Sequence, residues 1–233
     1  MYKRQIVPIL AQFFYDQMDS GFVSSGVITI IFGVLFFLSN LDHNKKLSLP
    51  QAFLLTALWW LSLAIFGSLP FIFSNIGLSI TDAFFESMSG ITTTGSTTIT
   101  NLNETPKAIL LWRAMLQWLG GIGIIVMAIT LMPIMNIGGM QLFVISTSNT
   151  PEKILPKSKE VSVRLILVYI ALTITCAVFY KIFGMGFFDS IVHSMTTIAT
   201  GGFSNYNESI GHFNNSLIEL TACLLYTSDA ADE

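Results

Sequence analysis

Long apolar runs, separated by short polar stretches, form the main pattern of this chain. A membrane-spanning helix needs about 20 mostly apolar residues. Four runs approach or exceed this length: Val23–Leu38, Gln51–Phe73, Ala108–Met135 and Val161–Phe183. Two shorter runs, Ile6–Phe14 and Leu217–Tyr226, have the character of parts of further spanning helices. The pattern therefore predicts an all-α polytopic membrane protein.

The composition is typical of a membrane protein and argues against several classes of function. Of the 233 residues, 52% are hydrophobic and 11% are charged, whereas a soluble domain carries about 25% charged residues. The net charge of −3 gives no indication of nucleic-acid binding. Both cysteines lie in apolar runs and the three histidines are far apart, so we expect no disulfide framework and no transition-metal site. No paired intramembrane carboxylate or His-x-x-x-His pattern is present, so an enzyme is not expected.

The polar stretches between the runs differ in charge. Lysine and arginine occur in Ser39–Pro50 and in Asn136–Arg164, whereas Ser74–Pro106 and Gly184–Phe213 contain neither. Cytoplasmic loops of membrane proteins carry an excess of these two residues. We therefore predict that the two basic stretches are cytoplasmic and that the other two lie on the outer side.

Each predicted outer stretch contains a copy of one repeated motif. Residues 82–95 read DAFFESMSGITTTG, and residues 189–201 read DSIVHSMTTIATG. Both fit Asp-x4-Ser-Met followed by Ile-x-Thr-Gly, if one residue is gained or lost between the two parts. With that gap, the pattern predicts that Gly95 corresponds to Gly201.

A short amphipathic helix is predicted in each copy, from about Thr81 to Ile91 and from about Phe188 to Thr197. Eleven helical residues are about 16 Å long, which is roughly half the thickness of the hydrocarbon core. Such a helix has to return to the side from which it entered. The non-helical backbone at its end then needs protein or water around it. We therefore predict two re-entrant half-helices between spanning helices.

An uncharged polar turn follows each predicted half-helix, TTTGS at 92–96 and IATGG at 198–202. Glycine permits positive φ, so consecutive carbonyls can point the same way and replace the water shell of a monovalent cation. The C-terminus of the half-helix adds a partial negative charge. The turns thus favour a cation filter made of backbone carbonyls. The alternative is that they only cap helices or line a crevice.

Five stretches within residues 69–213 carry a family resemblance: LPFIFSN, ITDAFFESMSGITTTGST, WRAMLQWLGGIGIIVMAITLMPI, IGGMQLF and ATGGFSNYNESIGHF. They resemble the membrane subunit of bacterial Trk/Ktr-type potassium uptake systems, and most closely the Trk branch. In that family one chain holds four M1–pore helix–M2 repeats around a single pore, often after two preceding helices. The resemblance implies potassium uptake across the bacterial inner membrane, with potassium as the substrate and no cofactor.

The resemblance also implies which residues form the filter. It places Gly95 and Gly201 at filter-glycine positions. Potassium is expected to bind backbone carbonyls of Thr92, Thr93, Thr94, Gly95, Ile198, Ala199, Thr200 and Gly201. Four further residues are expected to support the filter: Glu86, Arg113, Ser96 and Gly202.

Two ionisable residues near the expected filter each have two interpretations. Arg113 either pairs with Glu86 of the first half-helix and braces the filter, or extends to the outer interface beside Trp112. His193 occupies the place in the second copy that Glu86 has in the first. A structural, hydrogen-bonded histidine is favoured there over one that couples transport to protons.

The resemblance divides the chain into five parts. Residues 1–48 hold the preceding helices, the first incomplete, and a cytoplasmic loop, and residues 49–135 form the first repeat. A cytoplasmic loop covers 136–160, and residues 161–226 form a second repeat whose M2 helix is incomplete. Residues 227–233 are expected to be a non-native tail, with a natural short tail as the alternative. Because repeats three and four are absent, we expect this chain to be about half of a transporter.

The implied partners are lipid, a second copy of the full-length protein and a cytosolic nucleotide-binding regulatory subunit of the RCK type, TrkA. No phosphate-binding glycine loop is present in this chain, so nucleotide binding is expected in that partner. The alternative function is a non-conducting membrane scaffold that binds a cytosolic regulator. The sequence leaves open whether passage is channel-like or coupled to sodium or protons.

Overall fold

The computed structural model describes residues 20–39, 49–74, 76–135 and 154–230. Within these residues all regular structure is helical, and it includes two short 3₁₀ helices, Leu102–Glu104 and Ser209–Phe213. Seven α-helices follow one another along the described chain: α1 Ser20–Ser39, α2 Leu49–Phe73, α3 Ile80–Ile91, α4 Lys107–Met135, α5 Ile154–Ile182, α6 Phe187–Ile198 and α7 Ser216–Ala230.

Four of these helices are long and apolar enough to cross a membrane, and they coincide with the four predicted runs. Their apolar segments are Gly21–Ser39, Phe53–Phe73, Lys107–Ile125 and Glu160–Ile182. The apolar helix Ser216–Leu225 is shorter. The predicted run Ile6–Phe14 lies outside the described residues.

The helix α5 begins earlier than expected. The predicted cytoplasmic loop extends to residue 160, but the backbone is helical from Ile154 onwards. The charged and polar residues before the apolar run therefore belong to the first turns of the helix. Pro156 is compatible with this position, because the first turn of a helix needs no N–H donor.

The helix α4 lies at the centre of the described fold. In the most apolar part of α4 61% of the residues are buried, against 17% in the most apolar part of α5. Ile109 and Leu116 pack in a cluster with residues of α2 and α3, and Leu111 and Met115 pack against Val192 of α6. Residues three, four or seven apart share one face of a helix. α4 thus has two apolar stripes, one for each half-helix.

The two half-helices have the same length but begin differently. α3 and α6 are each 12 residues long, about 18 Å at 1.5 Å per residue. The hydroxyl of Ser79 caps α3, accepting from the backbone N–H of Asp82 at 3.1 Å and donating to its carboxylate at 2.6 Å. This arrangement resembles a capping box. Gly186 precedes α6 without a side-chain cap.

Candidate functional site

Two turns with the same backbone hydrogen bonds follow α3 and α6. After α3, the N–H groups of Thr92, Thr93 and Thr94 donate to the carbonyls of Met88, Gly90 and Ser89. The same three bonds occur after α6, each 107 positions later: Ala199 to Met195, Thr200 to Thr197 and Gly201 to Thr196. The two turns are therefore equivalent without any gap.

Backbone angles confirm this equivalence and correct the predicted pairing. Thr93 and Thr200 both have positive φ, 58° and 53°, and so do Gly95 and Gly202, 79° and 76°. Gly201 is not among the residues with positive φ. The pairing of Gly95 with Gly201 is thus wrong by one residue, because it matched identical Thr-Gly pairs rather than the backbone position that requires glycine. The true counterpart of Gly95 is Gly202.

The two turns lie against each other. A Cβ atom added to Gly95 would overlap the carbonyl oxygen of Gly201, so only glycine fits at that contact. Gly201 itself is buried, whereas Thr94 and Thr200 are exposed. Ile198 is the last residue of α6, in the place that Ile91 has in α3. The expected filter segments thus form one contiguous patch of backbone.

A buried ion pair fixes the strand that leaves the first turn. Arg113 Nε donates to Glu86 Oε1 at 2.6 Å, with side chains 1% and 0% exposed. The same carboxylate accepts from the backbone N–H of Thr98 at 2.9 Å and from the hydroxyl of Thr97. A buried pair of this kind has its charges compensated only while both partners are present. Arg113 therefore does not extend to the outer interface.

The same guanidinium also reaches the residues that follow the second turn. Arg113 Nη1 donates to the carbonyl of Ser204 at 3.0 Å, and Nη2 donates to the hydroxyl of Thr97 at 3.0 Å. Its central carbon lies 4.1 Å from the ring centroid of Phe203. A planar guanidinium with several donors suits such a multiple contact. One side chain of α4 thus connects the strands that leave the two turns.

Gln117 lies one helical turn beyond Arg113 on α4 and is 0% exposed. Its Nε2 donates to the carbonyl of Gly201 at 2.9 Å, and its Oε1 accepts from the N–H of Phe203 at 3.1 Å. A carbonyl can only accept and an amide N–H can only donate, so these partners fix the orientation of the side-chain amide. Gln117 is therefore a contact of the second turn that the sequence prediction missed.

The second half-helix has its own anchor to the strand that follows. His193 Nδ1 lies 2.9 Å from the carbonyl of Asp189, and Nε2 lies 3.0 Å from the hydroxyl of Ser204. The carbonyl needs a donor, so Nδ1 carries the proton. The Ser204 hydroxyl already accepts from the N–H of Tyr206 and donates to Nε2. Both ring nitrogens are thus occupied, which fits the structural interpretation of His193.

Asp189 completes this anchor. Its two carboxylate oxygens accept from Asn205 Nδ2 at 2.8 Å and from the Tyr206 hydroxyl at 3.2 Å. Partial burial, followed by the neighbouring Asp189 carboxylate, raises the pKa of Tyr206. Tyr206 therefore remains a neutral donor, and residues 204–206 are held to α6 by side-chain hydrogen bonds.

The polar segments beyond the two turns also contact each other. The N–H of Leu102 donates to Asn207 Oδ1 at 3.0 Å, and the N–H of Asn207 donates to Asn103 Oδ1 at 3.3 Å. These bonds join residues more than 100 positions apart. Among the described residues no group of three or more His, Cys, Asp or Glu side chains could hold a metal ion. The site therefore offers mainly backbone and hydroxyl oxygens.

Comparison with known protein families shows the family of this chain. The family model described as "TrkH: Cation transport protein" matches residues 19–226. The chain belongs to this family. Its fold agrees with the crystal structure of the potassium transporter TrkH from Vibrio parahaemolyticus at a TM-score of 0.84 and 39% identity, over 96% of this chain and 45% of that one. The predicted fold class and family resemblance are thereby confirmed.

Curated TrkH relatives show the same relationship. The chain is 42% identical over 225 residues to the Trk system potassium uptake protein TrkH of Halomonas elongata, covering 94% of this chain and 47% of that protein. It is 42% identical over 217 residues to TrkH of Escherichia coli strain K12, covering 91% and 45%. The chain spans about half the length of the curated relatives it matches.

Most site residues expected from the TrkH resemblance lie together in the structure. Glu86 and Arg113 form the ion pair described above, and the carbonyl of Ser96 accepts from the hydroxyl of Ser89 at 2.6 Å. Gln117 was missed, although a sequence signal exists. It is an amide within an apolar spanning run, where polar side chains are rare and have partners.

Proposed function

We propose that the protein carrying this chain takes up potassium across a bacterial inner membrane through a filter of backbone carbonyls. The observation that carries the proposal is the contact between two equivalent glycine-containing turns at the ends of two half-helices. Uncharged carbonyl dipoles can replace the water around a monovalent cation and still release it. The chain's membership of the TrkH family supports the same function, since several relatives are named as potassium uptake proteins.

The proposed filter consists of the two turns in their corrected register. The first contributes carbonyls of residues 92–95, and the second contributes carbonyls of residues 199, 200 and 202, because the Gly201 carbonyl is occupied by Gln117. In each turn, a threonine and a glycine with positive φ alternate with residues of ordinary φ, which changes the direction of successive carbonyls. Ile198 ends α6 and contributes through the negative end of the helix dipole. Glu86, Arg113 and Ser96 hold the first turn in place.

The proposed orientation places both turns on the outer side of the membrane. It is supported by the absence of lysine and arginine from Ser74–Pro106 and Gly184–Phe213 and by their presence in the other two polar stretches. The basic stretches then face the cytosol. There they are available to the nucleotide-binding RCK-type subunit TrkA, and the complete transporter assembles as a homodimer.

Rubidium flux tests this proposal. Residues 19–226 are joined in frame to the part of the Vibrio parahaemolyticus transporter that they do not match, and the product, called here the joined transporter, is reconstituted into liposomes. We expect rubidium uptake that external potassium inhibits and external sodium does not. The 233-residue chain alone serves as a second sample. Uptake no greater than in empty liposomes from the joined transporter would contradict the proposal and favour a non-conducting scaffold.

A further inference from the structure

We propose that Gln117 is a positioning residue that determines the selectivity of the filter by holding the second turn. The inference rests on the proposed function. Gln117 is fully buried on α4 and makes two hydrogen bonds to the backbone of the second turn, to the Gly201 carbonyl and the Phe203 N–H. It belongs to the first repeat, whereas its partners belong to the second. It therefore couples the two parts of the proposed filter.

The two bonds lie on either side of Gly202. A carbonyl at one residue and an N–H two residues later are the groups that one residue of a neighbouring parallel strand would bind. The side-chain amide of Gln117 takes the place of such a strand, where none is available among the described residues. Gly202, with φ of 76°, is thereby held between two fixed peptide groups. This fixes the direction of carbonyls on both sides of it.

Gly201 is shaped to receive this side chain. An ideal Cβ atom at residue 201 would lie 2.6 Å from Gln117 Oε1 and 2.7 Å from Nε2. Gly201 does not have positive φ, so its backbone does not require glycine. Space for Gln117 is the reason for glycine here. The counterpart in the first turn, Thr94, has a side chain, whose hydroxyl lies 2.8 Å from that of Thr92.

Gln117 also lies beside the first turn. Its Nε2 is 3.7 Å from the place where a Cβ at Gly95 would be. The amide is therefore at the contact between the two turns, where the Gly201 carbonyl approaches Gly95. A shift of this amide would change the spacing between the turns as well as the direction of the Gly201 carbonyl. The spacing between the turns decides how well their remaining carbonyl oxygens fit a potassium ion rather than a smaller sodium ion.

The first test replaces Gln117 by leucine in the joined transporter, which removes both bonds at similar volume. Leaving a buried carbonyl and N–H unpaired disfavours the filter geometry. We expect the ratio of rubidium to sodium uptake to fall about tenfold, corresponding to about 1.4 kcal/mol. Thr173→Val is the matched control, since it removes the bond from the neighbouring Trp118 Nε1 to Thr173 without touching either turn. It should leave the ratio unchanged.

The two hydrogen bonds from Gln117 to the second turn are called here the Gln117 clamp. Hydrogen exchange measures this clamp independently of transport. The Phe203 N–H should exchange faster in Gln117→Leu than in the unmodified joined transporter, and its rate should not change in Thr173→Val. If the leucine variant fails to fold, Gln117→Met, which keeps an unbranched side chain, takes its place. Unchanged exchange at Phe203 together with an unchanged uptake ratio would overturn the inference.

A double-mutant cycle tests the role of Gly201. Gly201→Ala should lower the uptake ratio because its methyl group displaces the Gln117 amide. In a Gln117→Ala background, which removes the side-chain atoms that this methyl group would overlap, the same substitution should lower the ratio no further, since the interaction is already lost. If the effects of the two substitutions on the uptake ratio add in the double variant, the inference about the Gln117 clamp is overturned. If the unmodified joined transporter takes up no rubidium, the proposed function fails, and the exchange at Phe203 then decides the clamp alone.

Discussion

The two turns have the same backbone but are held by different chemistry. The strand after the first turn is held by a charged pair, Glu86 with Arg113, which also binds Thr97 and Thr98. In the second half-helix, His193 occupies the position of Glu86, and it is a neutral partner of Ser204. The second turn then receives added support from α4 through Gln117. A backbone geometry can thus be repeated while its supporting side chains diverge.

This difference makes α4 the element on which both turns depend. Arg113 contributes to both strands, and Gln117 contributes to the second. They lie four residues apart, between the two apolar stripes that pack against α3 and α6. Arg113 and Gln117 form a polar seam between these stripes. A helix with two apolar stripes and such a seam is suited to lie between two half-helices. Loss of a seam residue should therefore affect both turns, but to different degrees.

Loss of Arg113 should have the largest effect. In Arg113→Gln, the buried Glu86 carboxylate remains without its cation, and removing one partner of a buried pair costs about 3–5 kcal/mol. We expect the free energy of unfolding, measured by denaturation of the joined transporter in mixed micelles, to fall by that amount. Lys107→Gln is the control, because it removes a positive charge from the exposed first residue of the same helix. Equal effects of the two substitutions would contradict the structural importance of the pair.

The two glycines at equivalent positions should differ in their tolerance of alanine. Positive φ costs an L-residue about 1–2 kcal/mol, and this cost applies equally to Gly95→Ala and Gly202→Ala. Only at Gly95 would the added methyl group also overlap the Gly201 carbonyl. No described atom lies within 4 Å of a Cβ built at Gly202. We therefore expect Gly95→Ala to lower stability and the rubidium-to-sodium ratio more than Gly202→Ala does.

The opposite order would contradict the contact between the turns. Gly202→Ala serves as the matched control for backbone strain, and Gly33→Ala in α1 serves as the control for a glycine without any such contact. Because alanine is a better helix former than glycine, Gly33→Ala should stabilise the protein slightly. The three substitutions together separate strain from overlap.

The smallest effect is expected from loss of the hydrogen bond between Tyr206 and Asp189 of α6. Tyr206→Phe removes only the hydroxyl that donates to Asp189 at 3.2 Å, while Asn205 continues to bind that carboxylate. The net loss of one such bond is about 0.5–1.5 kcal/mol. We expect a drop in unfolding free energy in this range with an unchanged uptake ratio. A tenfold loss of selectivity would show that the outer anchor, rather than α4, controls the second turn.

The sequence predicted the helices well, since their signals are local. The spanning segments follow from the length of apolar runs. The predicted bounds of both half-helices differ from the observed bounds by no more than one residue. The start of α5 at Ile154 was missed because the first turns of this helix are polar. The division of the chain into repeats and the origin of residues 227–233 remain predictions.

The details of the site depended on contacts that sequence patterns do not contain. Identical Thr-Gly pairs suggested a gapped alignment, whereas the backbone places a glycine two residues after each threonine of positive φ. Gln117 was missed because its partners lie 84 and 86 positions away. The pairing of Arg113 with Glu86 was one of two alternatives, and only burial and distance distinguished them.

The most direct test of the central claim is the position of a bound monovalent cation. Thallium stands in for potassium and has a strong anomalous X-ray signal. In crystals of the joined transporter containing thallium, we predict anomalous density in contact with the carbonyl oxygens of the two turns, at residues 92–95, 199, 200 and 202. Density that is absent from both turns, with thallium bound elsewhere along the pore, would contradict the account.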